Sequence, residues 1–160
     1  MIAERIVRAL AIVALFPAAM AAQTDRGRVR FEMAAGVHAA RETWSFVGGG
    51  AAVPAGNYVR SFARIGGGPA LSDTSLVAGR LELGIRFLTD PFHQQRRAAY
   101  LGAGLGIRGT HRLRNRTEYV FLLVGLEGRT RGSWIPAVEV GLGDGARLAL
   151  VIRQGRRGYR

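Results

Sequence analysis

Cysteine is absent from this chain of 160 residues, so neither a disulfide framework nor thiol chemistry is available to it. Lysine is absent as well: all 23 basic residues are arginine, a compositional habit from which no mechanism follows. Prolines number five, and no apolar run reaches the roughly 20 residues that a membrane-spanning helix needs. The three histidines, His38, His93 and His111, lack metal-ligand spacing, so no metal and no cofactor is expected. The length suits one domain.

Glycine and positive charge are in excess. Twenty-three glycines suit tight turns and crowded strands better than helices. A net charge of +12 makes nucleic acid the first partner to consider. The arginines do not form a patch, however. They recur singly at alternate strand positions (Arg28, Arg30, Arg60, Arg64, Arg80, Arg86, Arg108, Arg129, Arg147, Arg153), several with Glu32, Glu82, Glu127 or Glu139 at similar depth. No nucleic-acid partner is expected from that spread.

The organising stretch runs from Ser75 to Leu88. Val77, Leu81, Leu83, Ile85 and Phe87 alternate with Ala78, Arg80, Glu82, Gly84 and Arg86, with Gly79 the one gap on the apolar side. A period of two is that of a β-strand, whose successive side chains leave opposite faces. Arg97 to Gly109 repeats it, with Ala99, Leu101, Ala103, Leu105 and Ile107 against Tyr100, Gly102, Gly104, Gly106 and Arg108. Such a sheet either faces its charges to water around an apolar core, or faces its apolar side to lipid with the charges in a narrow lumen.

The N-terminus favours the second. Arg5 and Arg8 precede an uncharged run from Ala9 to Ala22, and small residues around Ala19-Met20-Ala21 offer a cleavage site, the parts of a secretory signal peptide over residues 1–22. The mature domain is then 23–160. An exported, cysteine-free, glycine-rich chain of alternating strands points to the Gram-negative envelope.

In chain order the expected strands are Arg26 to His38, Trp44 to Val53 (short and loosened by glycine), Tyr58 to Gly66, Ser75 to Leu88, Arg97 to Gly109, Thr117 to Arg129, Trp134 to Leu142 and Ala146 to Arg153 (short). Pro54-Ala-Gly-Asn57 and Arg131-Gly132 read as turns, Gly67 to Thr74 as loop, and Gly143-Asp-Gly145 as a type I′ hairpin. Eight is the smallest usual strand number for an outer-membrane barrel. An arginine facing lipid at mid-depth costs roughly 2–4 kcal/mol, so the strand arginines must face in, paired with glutamates and given room by glycines. Trp44, Phe87, Tyr119 and Trp134 fall near strand ends, where an aromatic girdle is expected.

Ala99-Tyr-Leu-Gly-Ala-Gly-Leu-Gly-Ile107 resembles a strand common in the small eight-stranded outer-membrane β-barrel families, the OmpA/OmpX-like and opacity-porin-like group. Pro136-Ala-Val-Glu-Val-Gly-Leu-Gly-Asp-Gly145 is similar to their penultimate strand and turn. The resemblance implies an all-β, antiparallel up-and-down transmembrane barrel, inserted by the outer-membrane assembly machinery, with no catalytic residues to carry over.

Other chemistry finds little support. Gly104-Leu-Gly106-Ile-Arg-Gly109 matches a dinucleotide-binding pattern by letters, but its glycines alternate along a strand and no helix opens there. Ser45, Ser61 or Ser133 with His38 or His111 lacks any hydrolase motif. The basic run Arg108 to Arg116 could meet lipid phosphates. The expectation is therefore a non-enzymatic, monomeric outer-membrane barrel with a structural or small-pore role and no catalytic, cofactor or metal residues, contacting outer-membrane lipids and lipopolysaccharide. The alternative is a secreted or periplasmic soluble barrel with its apolar face turned inward around a small apolar ligand.

Overall fold

A computed structural model describes residues 29–72, 76–89, 97–110 and 116–155. The signal peptide over 1–22, Arg28, His93, His111 and the middle of the basic run lie outside these. Eight strands form: β1 Arg30–Ala39, β2 Thr43–Pro54, β3 Val59–Pro69, β4 Val77–Leu88, β5 Ala98–Thr110, β6 Arg116–Glu127, β7 Trp134–Leu142 and β8 Ala146–Gln154. Every neighbour is antiparallel, and β1 pairs with β8, closing the sheet into a barrel without edges. At 9 to 13 residues, each strand is long enough to cross a bilayer when tilted.

Period-two alternation sets the two faces, and it holds from strand to strand. Outside lie Phe31, Met33, Ile65, Leu81, Leu101, Leu105, Val120, Val124, Val140 and Leu150, with Leu105, Val120 and Leu150 all about two-thirds exposed (65%, 67% and 66%). Inside lie Glu32, Arg60, Arg64, Glu82, Arg86, Glu127, Glu139, Arg147 and Arg153, all buried. Among the described strand residues the outward positions carry charge only at Arg116 and Glu118, where β6 begins. An inward apolar face, which the soluble ligand-binding alternative requires, does not form: Leu81, Leu101 and Val124 are exposed while Arg86 is 1% exposed.

Several local expectations are corrected. The strand β2 is not short but runs 12 residues, because Gly48 to Gly50 pair on both sides, with Glu32 to Ala34 of β1 and Arg64 to Gly66 of β3. Gly67, Gly68 and Pro69 extend β3 rather than forming loop, paired with Gly79, Ala78 and Val77. At nine residues β8 matches β7 in length. Arg129 lies beyond the end of β6 and is exposed, so it does not enter the lumen. The turn before β7 is centred on Gly132-Ser133, one residue later than expected, with Arg131 and Trp134 exchanging backbone hydrogen bonds of 2.8 and 3.1 Å across it. The last hairpin is not type I′, which needs positive φ at both central residues; of Asp144 and Gly145 only Gly145 has it, at 145°.

The girdle expectation divides. Phe87 and Trp134 are exposed, each 48%, on the outer face. Trp44 and Tyr119 turn inward: Trp44 is buried against Ala70 and Ala78, and the Tyr119 hydroxyl donates to Glu82 at 3.1 Å. Both share the parity of inward neighbours, Phe46 for one and Phe121 for the other, and parity outranks nearness to a strand end.

Candidate functional site

The lumen is where the chain concentrates its chemistry. Large inward side chains fit because glycine stands directly across the ladder from them: Tyr100 opposite Gly125, Leu123 opposite Gly102, Phe121 opposite Gly104, Tyr119 opposite Gly106 and Phe62 opposite Gly84. A Cβ added at Gly104 would lie 2.7 Å from Phe121 Cζ, and one at Gly84 2.9 Å from Phe62 Cε1, closer than real contacts allow. Rings filling these gaps then carry the guanidinium groups. Arg86 lies over Phe62 at 3.8 Å, Arg80 over Phe46 at 3.5 Å and Arg153 over Tyr100 at 4.6 Å.

At mid-barrel Glu32 and Glu139 hold three arginines. Arg64 donates to Glu32 through Nε at 3.1 Å and Nη2 at 2.9 Å, and to Glu139 through Nη1 at 2.9 Å. Arg86 donates Nη1 to Glu32 Oε2 at 2.8 Å and Nη2 to Oε1 at 2.9 Å. Arg153 donates Nε to Glu32 at 3.0 Å, and its Nη2 to both Glu139 and the Tyr100 hydroxyl. That hydroxyl donates to Glu139 at 2.8 Å. Toward the end that carries Arg30 and Gln154, Glu127 accepts from Arg60 at 2.9 Å and Arg153 at 2.7 Å. Toward the far end, Glu82 accepts both bonds of Arg147 Nη1, at 2.5 and 2.6 Å. Arg108 pairs with Asp144 at 3.0 Å on the far rim.

Buried charges of this density are stable only when each is paired, since an isolated one costs several kcal/mol to desolvate. Charge-assisted and bidentate bonds make the plug rigid. Among the described residues no Ser–His pair lies on a common face. His38 faces inward, whereas Ser45, opposite Val37, and Ser61, opposite Ile85, belong to the outward face; Ser133 is in an exposed turn. The Gly104–Gly109 glycines all lie within β5, so no phosphate-binding loop exists there.

No family model and no curated protein sequence matches the chain. Solved structures do. The N-terminal β-barrel domain of Pseudomonas aeruginosa OprF superposes with a TM-score of 0.62 at 12% identity, over 81% of this chain and 98% of that one. Neisserial surface protein A gives 0.58 at 11% identity, over 81% and 97%. A de novo designed transmembrane β-barrel gives 0.53 at 17% identity, over 79% and 92%. The chain therefore has the closed eight-stranded antiparallel fold of the small outer-membrane barrels, reached from a sequence that shares little with theirs.

Proposed function

We propose that the chain is exported, loses residues 1–22, and is inserted by the barrel-assembly machinery into the outer membrane of a Gram-negative envelope. There it serves as a monomeric, non-catalytic structural barrel. The observation that carries this is the outer surface. Leu, Val, Ile, Phe and Met project from all eight strands, and a soluble monomer rarely exposes an apolar patch beyond a few hundred Å². Lipid is the solvent that such a surface fits. Exposed Arg97, Arg129 and Arg131 at the end carrying Gln154 border an open groove of about 730 Å³ and suit lipid phosphates. Buried, ion-paired Arg and Glu side chains across the lumen support a structural role over a conducting one.

Fractionation of cells expressing the tagged full chain tests this reading. The protein is expected in the outer-membrane pellet, resistant to high-salt extraction, and to migrate faster on a gel before boiling than after. Recovery as a soluble monomer without detergent contradicts it.

A further inference from the structure

At the far end of the lumen, Arg80 and Arg108 keep guanidinium nitrogens that no partner among the described residues satisfies. Arg80 and Arg108 stand directly opposite each other in the β4–β5 ladder, both inward. Directly opposed like charges destabilise a strand pair unless something lies between them. Arg80 stacks one face of its guanidinium on Phe46, and its side chain is 9% exposed. Its nearest carboxylate, Glu82, is 3.8 Å from Nη1 and is already engaged by Arg147. Arg80 Nε and Nη2 and Arg108 Nη1 are buried with no hydrogen-bond partner among the described residues. Among the described residues, three arginines here, Arg80, Arg108 and Arg147, face two local carboxylates, Glu82 and Asp144, with Arg147 also 3.9 Å from Glu139, so positive charge is in excess.

A cavity of about 20 Å³ adjoins these donors, room for about one water-sized occupant. Arg80, Arg108, His38, Trp44, Ser45 and Phe46 line it with glycine and alanine, and among the described residues no carboxylate does. Arginine and the tryptophan indole offer donors and no acceptor, which leaves the Ser45 hydroxyl and one ring nitrogen of His38 as the lining side chains able to accept. A water there would accept bonds but find few acceptors for its own hydrogens, whereas an anion would satisfy the donors and cancel the surplus charge. A neighbouring cavity of about 10 Å³ shares His38 and Arg80 but is lined by Glu82 and Asp144, so it does not suit an anion. We propose that the far end of the lumen binds one small monovalent anion, of the halide class, between Arg80 and Arg108. The inference rests on the closed lumen and not on which membrane holds the barrel.

The test uses the full-length protein in detergent. Crystals grown in sodium bromide are expected to show one anomalous peak between the Arg80 and Arg108 guanidinium groups. The unfolding temperature is expected to rise saturably with sodium bromide or chloride but not with sodium gluconate at equal ionic strength, since gluconate is too large for the cavity. Arg108→Gln, on the rim and 22% exposed at its side chain, should fold and lose the halide-dependent shift. Absence of the peak, an equal shift in gluconate, or a halide shift retained in Arg108→Gln would overturn the proposal. The bromide measurement on the unaltered chain needs no variant.

Discussion

Glu139 is fully buried and faces Arg64, Arg86, Arg153 and the Tyr100 hydroxyl at once. Cations outnumber acids around it, so losing the acid leaves more charge stranded than losing an arginine does. Glu139→Leu is expected to cost about 3–5 kcal/mol, as for breaking any buried ion pair from one side. Arg64→Leu with Glu139→Leu should cost less than Glu139→Leu alone, because the pair leaves together. Denaturant unfolding of the refolded proteins in micelles measures both, and a double variant less stable than Glu139→Leu would contradict the pairing. At this scale the sequence was half legible. That arginines and glutamates face inward followed from parity and from the cost of charge in lipid. Which meets which did not: Glu32 and Arg153 are 121 residues apart and become neighbours only when β8 closes on β1. Tyr119 shows the same limit, since its parity with Phe121 was readable but the position of Glu82 across the lumen was not.

Between elements, the pairing of glycine with bulk is what lets eight strands enclose so many large side chains. Tyr100 illustrates it. A Cβ at Gly125 would lie 2.6 Å from Tyr100 Cε1, and the ring cannot swing away without releasing Glu139 and Arg153. Gly125→Ala is therefore expected to destabilise the barrel by about 1–3 kcal/mol, the usual cost of overpacking. In a Tyr100→Leu background the same change should cost less. Thermal unfolding followed by gel mobility of unboiled samples checks it, and equal costs in both backgrounds would separate Gly125 from Tyr100. Strand order and most strand cores were readable from alternation. Gly48 to Gly50 were readable as part of a loosened β2, but the end of β3 was not, because Gly67 and Gly68 before Pro69 carry no side-chain period; only pairing with Gly79, Ala78 and Val77 of β4 makes them strand. Turn chemistry was legible as location but not as type, since Asp144 keeps negative φ.

For the molecule as a whole, every strand obeys one rule: the outward face is free of charge but for the start of β6, and the charged side chains among the described strand residues otherwise point inward, among rings that glycine makes room for. The same rule places the anion pocket, since both Arg80 and Arg108 point into the closed lumen from facing positions. Absence of cysteine makes a direct test clean. Leu101→Cys and Leu150→Cys, made one at a time and spin-labelled in the protein reconstituted into liposomes, report what the outer face touches, with Asn57→Cys in an exposed turn as the aqueous reference. The labels at 101 and 150 should collide readily with dissolved oxygen and poorly with a water-soluble nickel chelate, the reverse of the label at 57. Nickel accessibility at 101 and 150 equal to that at 57 would show that water, and not acyl chains, covers the barrel.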